Sequence, residues 1–90
     1  MEFEWDENKN QDNLKKHRIS FEEAIAAFYD DYRMDLEDTS ELEERYNLIG
    51  LAHGKLLFVV YTFRQVKGIL KIRIISARKA MSHEKTQYHS

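Results

Sequence analysis

The sequence predicts an α+β fold: a small antiparallel β-sheet with a four-strand meander and a short N-terminal strand, two N-terminal helices and a C-terminal helix. Three observations lead there. Two runs rich in strand formers, "ERYNLIGLA" at 44–52 and "KLLFVVYTF" at 55–63, flank "HG" at 53–54, and a two-residue loop ending in glycine suits a tight hairpin. A further apolar run at 69–75 follows "QVKG", which turns the chain back. Ser20 and Glu23 form a capping box ahead of Phe21, Ala24, Ile25 and Phe28, spaced i, i+3, i+4 and i+7.

The remaining elements follow in order. "FEW" at 3–5 alternates and predicts an edge strand. Asp6 offers an N-cap for "ENKNQDNLKKH", a segment whose only clear apolar contact is Leu14, so this helix is expected on the surface. The capping box opens a short amphipathic helix over 21–29. Tyr32, Met34 and Leu36 alternate with Arg33, Asp35 and Glu37, the period of a half-buried strand, and "TSELE" is a polar connection. Ser76 predicts the N-cap of a last helix over 77–88, with Ala77, Ala80, Met81 and Tyr88 near one face. Strands in sequence joined by short turns form a meander, and helices are expected over one face of it.

Ninety residues, 42% hydrophobic and 12% aromatic, suit one folded domain over 1–90 with a single modest core. There is no cysteine, which excludes disulfide and thiolate chemistry and fits a reducing cytoplasm. No apolar run approaches the roughly 20 residues that span a bilayer, and the acidic start is unlike a signal peptide.

Charge is distributed unevenly. Residues 1–52 carry 6 Lys/Arg against 15 Asp/Glu, and residues 53–90 carry 8 against Glu84 alone. The basic half has the character of a nucleic-acid surface. The plainer reading is that the halves neutralise one another on folding. "KIRIISARKA" at 71–80 concentrates Lys71, Arg73, Arg78 and Lys79. With Ser76 as N-cap, Arg78 and Lys79 would sit in a first helical turn, where the helix dipole repels cations and exposed N–H groups bind anions. Arg64 ends the preceding strand. Each cation alone is readily explained by solvation or pairing, Arg73 with Glu44 for example; the group with the asymmetry favours anion binding.

Other patterns are weaker. His17 and His53 have no partner at metal-ligand spacing, and His83 and His89 sit badly on one helix face, so no metal and no cofactor are expected. There is no glycine-rich phosphate loop and no nucleophile elbow. Tyr61 and Phe63 have rings that could stack on bases, but their alternation places at least some of this strand in the core.

From Phe3 to Tyr88, "FEWDENKNQDNLKKH", "ISFEEA", "ERYNLIG", "VVYTFR" and "IRIISARKA" occur in the order expected of the BrnT toxins of bacterial type II toxin–antitoxin systems, which the chain resembles. One departure is Arg18, where the family usually has glycine in K-H-G-I; that glycine would serve as a left-handed C-cap. The resemblance implies a RelE-like ribonuclease fold and RNA cleavage in the cytoplasm that inhibits translation and growth. It also implies neutralisation by a ribbon-helix-helix, BrnA-like antitoxin, through which alone the operator DNA is bound. In a metal-independent mechanism the RNA 2′-hydroxyl attacks the adjacent phosphate, which requires a base, an acid and cations for the transition state. Arg64, Arg73 and Arg78 would supply charge, His17 and Glu22 are candidates for proton transfer, and Lys79 and Lys71 would hold RNA. Asp30, Asp31, Asp35, Glu37 and Asp38 form a surface on which a basic antitoxin segment could lie. The alternative is a non-catalytic module that uses the basic C-terminal half to bind RNA or protein.

Overall fold

A computed structural model describes residues 1–37 and 44–90; the predicted polar connection at 39–43, and Asp38, lie outside the described residues. The elements are β1 (Glu2–Glu4), α1 (Glu7–His17), α2 (Phe21–Ala24) running into a 3-10 turn (Ile25–Tyr29), β2 (Met34–Glu37), β3 (Tyr46–Ala52), β4 (Lys55–Val66), β5 (Ile69–Lys79) and α3 (Ser82–His89). The five strands form one mixed sheet in the order β1-β5-β4-β3-β2. The meander β2 to β5 is antiparallel as predicted, and β1 joins the far edge parallel to β5.

Local chemistry explains most boundaries. Asp6 caps α1, its carboxylate accepting from Asn8 N at 2.8 Å and Lys9 N at 3.3 Å. The Ser20 hydroxyl accepts from Glu23 N at 3.0 Å. The other half of that capping box is absent, because the Glu23 carboxylate pairs with Lys55 Nζ at 3.1 Å. His53–Gly54 and Lys67–Gly68 both have positive φ at both residues, the signature of a tight two-residue hairpin turn. Tyr32, predicted in β2, precedes it and is exposed.

The predicted C-terminal helix starts too early. Residues 76–79 belong to β5, with Ser76 opposite Val60, Ala77 opposite Val59, Arg78 opposite Phe58 and Lys79 opposite Leu57. The register shifts between Val60 and Tyr61, so Ile75 is an extra residue in the ladder. This bulge breaks the alternation that identifies a strand. Ser76 therefore caps nothing, Arg78 and Lys79 lie in no helical turn, and α3 begins after Met81. The second correction concerns layers. Leu57, Val59 and Tyr61 face α2 and the 3-10 turn in the main core. Ile49 and Phe58, paired across β3 and β4, face the other side, where Ile49 is fully buried and Arg78 reaches α3. Helices thus cover both faces, and α3 leaves the Arg64 end of its face open.

The face α1 turns to the protein is polar. Leu14 is 39% exposed, whereas Asn10 and Asn13 are buried. Asn13 donates to Ile19 O at 2.8 Å and Ala77 O at 2.7 Å and accepts from Ala77 N at 3.1 Å. It thereby satisfies the edge of β5 beyond the reach of β1, as a neighbouring strand would. Gly50 is required by close approach: a Cβ there would stand 2.6 Å from Ala27 O. Arg18 closes α1 in the left-handed region, at φ 61°. Replacing Arg18 with glycine is expected to stabilise the protein by about 0.5–1 kcal/mol, the relief of left-handed strain less the added freedom of the unfolded chain. A rise of a few degrees in the thermal midpoint would show it; a fall would mean the arginine side chain compensates for its backbone.

Candidate functional site

On the face of the sheet opposite the main core, β1, β5 and β4 bring Glu2 and Glu4 against Lys71, Arg73, Arg64 and Thr62, all in cross-strand register. Arg73 and Arg64 converge on one carboxylate. Glu4 Oε2 accepts from Arg73 Nη1 at 2.7 Å and lies 3.3 Å from Arg64 Nε. The Arg73 hydrogen bond is the largest influence on Glu4 and, with Arg64 and Lys71, outweighs burial to hold its carboxyl below the ordinary glutamate range. A carboxylate held in this way is a poor proton acceptor near neutral pH.

Arg64 and Arg73 line a polar hollow of about 440 Å³ with Lys9, Glu44, Arg45, Thr62, Phe63 and Ile75. A second hollow of about 220 Å³ is lined by Lys9, Asp12, Asn13, Lys16, His17, Ile75 and Ser76. Lys9 and Ile75 belong to both, so the two hollows adjoin along the border between α1 and β5. The cap at Asp6 and the Asn13 bonds to Ala77 fix α1 in that place, with Lys9 in the hollow of the arginines and Lys16 and His17 in the adjoining one.

Other predicted residues stand apart. Arg78 shares the face but lies opposite Phe58, four residues along β4 from the Thr62–Arg73 pair, a separation of about 13 Å. Its guanidinium stacks on the Phe58 ring at 4.3 Å and bonds Glu84 through two nitrogens at 2.8 Å each. Glu84 also accepts from Met81 N at 2.7 Å, which makes this pair the fastening of α3 to the sheet. Glu22 lines neither hollow and accepts from Asn10 Nδ2 at 3.0 Å. Lys79 is exposed opposite Leu57 on the far side of Arg78, and Lys71 is half-buried opposite Arg64. Tyr61 is in the core, burial pushing its phenol up to about 12, and Phe63 is 44% exposed. In the acidic group proposed for a partner, Asp30 serves as an internal node: it accepts from Leu51 N at 2.8 Å, Tyr32 N at 2.9 Å and Tyr88 Oη at 2.5 Å.

Glu84 carries a pH dependence. The Arg78 hydrogen bonds, opposed by burial and aided by Met81 N–H, hold its carboxyl below the usual range. Its stabilising contribution is therefore complete above the unfolded-state pKa, about 4.3, and is lost as pH falls through the lower folded-state value. Acid unfolding of Glu84→Gln should be less steep than that of the wild type across this range; equal slopes would show that other carboxylates carry the acid response.

Sequence reading missed Glu4, Lys9 and Asn13. The alternation of "EFE" around core-facing Phe3 would have placed both glutamates on the cationic face. Asn13 left no comparable trace.

Among the described residues, a five-stranded α+β fold sets cationic side chains from α1, β4 and β5 around two adjoining hollows. The chain belongs to the BrnT family: the model of the ribonuclease toxin, BrnT, of type II toxin–antitoxin systems matches residues 5–84. No curated protein matches the chain. Among the described residues no helix is long and apolar enough to cross a membrane.

Proposed function

We propose that this chain is a RelE-like, metal-independent endoribonuclease toxin acting in the cytoplasm. Its cleavage of RNA stops translation and growth until a ribbon-helix-helix antitoxin binds it. The toxin's only route to operator DNA is through that antitoxin. The observation that carries this reading is the convergence of Arg64 and Arg73 in a hollow adjoining the one that contains His17. Arg64 and Arg73 hold the scissile phosphate and stabilise the charge that grows on it as the 2′-hydroxyl attacks. His17 exchanges a proton with the attacking or leaving oxygen, imidazole being suited to either task. Lys9 and Lys16 hold the flanking backbone. Arg78 acts through the fold, by fixing α3, and Glu22 by holding Asn10.

Purified protein incubated with single-stranded RNA in excess chelator tests the reading. Fragments ending in 2′,3′-cyclic phosphate support it, and intact RNA overturns it. A second reading has an observation in its favour, since Arg64, Arg73 and Arg78 each have a carboxylate partner. A module that binds RNA or protein without chemistry would tolerate such pairing, and would retain intact RNA in the same experiment.

A further inference from the structure

We infer that Glu4 is a positioning residue of the proposed anion site: its carboxylate draws Arg64 across β5 and holds it beside Arg73. The inference rests on the reading of that hollow as the place of an RNA phosphate, and it identifies what assembles the place.

Arg64 stands opposite Lys71 in the register of β4 and β5, whereas Glu4 stands opposite Arg73 on β1. To meet Glu4, the Arg64 side chain must cross β5 diagonally over the sheet. Its side chain is 50% exposed, against 28% for Arg73, so burial holds it less firmly. Glu4 itself is anchored: Phe3 beside it packs edge-on to Phe28 at 5.0 Å in the core, which sets the face to which Glu4 points. Glu4 does not line the hollow, although both of its arginine partners do. It therefore stands behind them. A guanidinium has five N–H donors. Glu4 engages Nη1 of Arg73 and Nε of Arg64, which leaves donors on both groups for an anion in front. A shared carboxylate also offsets the repulsion between two neighbouring guanidiniums.

The test is a double-mutant cycle of Glu4→Ala and Arg64→Ala, read in two ways. One is kcat/KM on single-stranded RNA. The other is binding of an uncleavable 2′-deoxy oligonucleotide as salt is varied, which needs no catalysis. Glu4→Ala is expected to lower kcat/KM by up to about 100-fold, as misplacement of a reacting-site group does. It should reduce the salt slope by about 0.7, as Arg64→Ala does, the equivalent of one phosphate contact on a single strand. In the Arg64→Ala background, Glu4→Ala should cost less, because there is no longer an Arg64 to hold and only its contact to Arg73 is lost. Glu2→Ala removes the same charge from the same strand without touching either arginine and should change both readings little. If Glu4→Ala does not fold, Glu4→Gln, which keeps an acceptor but loses the charge that offsets the two guanidiniums, should move the readings the same way by a smaller amount.

Tighter oligonucleotide binding by Glu4→Ala would show that Glu4 competes with the anion and would overturn the inference, as would additive effects in the cycle. Absence of RNA cleavage with non-additive binding would refute the nuclease reading and leave this one standing. Failure of the wild type to bind the oligonucleotide would overturn both.

Discussion

Replacing Arg73 with alanine is expected to slow RNA cleavage by roughly 100- to 1000-fold, the usual cost of one lost transition-state contact, with the fold preserved. Arg73 projects from β5, which is flanked by β1 and β4, so its backbone is held on both sides. Its guanidinium makes the shorter of the two contacts to Glu4, 2.7 Å against 3.3 Å for Arg64, and is the better fixed of the pair. A fixed cation stabilises developing charge without reorganising when the charge appears. The fold should survive because Arg64 remains as a partner for Glu4, and the core residues beside Arg73, Ile72 and Ile74, point to the opposite face. Single-turnover cleavage rates measured with a thermal melt of the same sample separate the two effects. A variant that melts normally and cleaves at the wild-type rate would remove the hollow from the chemistry.

Arg78→Ala should behave in the opposite manner, with a loss of stability of roughly 2–3 kcal/mol. Breaking a buried pair leaves an uncompensated charge, and Glu84, at 4% exposure, is such a charge. Arg78 is itself about a quarter exposed, which puts the cost toward the lower end of that range. The variant also loses the stacking on Phe58 and loosens α3, whose start depends on the same glutamate. Urea unfolding reads the loss directly. Combining Arg78→Met with Glu84→Gln, which removes the buried charge yet keeps an acceptor for Met81 N–H, should recover part of the stability. If Arg78→Ala is as stable as the wild type but inactive, Arg78 belongs to the chemistry after all.

These contrasting expectations arise from the partners the fold selects: Arg73 pairs with Glu4, 69 positions away, and Arg78 with Glu84, six positions on. Lys71, Arg73 and Arg78 sit within one short run of cations, and nothing local separates them. Folding gives Arg73 a carboxylate from residue 4, and gives Arg78 the only acidic residue of the basic half. The plainer expectation, that opposite charges would neutralise one another, describes part of the outcome. Even so, Arg64 and Arg73 still line an open polar hollow.

Most of what depended on neighbours along the chain could be read from the sequence, the Met81–Glu84 start of α3 being the exception. The Asp6 and Ser20 caps, the His53–Gly54 turn and the alternation in β3 and β4 are set by interactions spanning a few residues. The α+β class and the meander follow from them. Tertiary structure decided the rest. The strand at 76–79 exists because β4 offers a partner across a bulge, and that pairing overrides the local capping preference of Ser76. The polar helix α1 is held because Asn13 meets Ala77, 64 positions away, and Lys9 and His17 reach the candidate site with it. A hydrogen bond between distant segments leaves no period in the sequence, since either partner is ordinary until the fold sets them face to face.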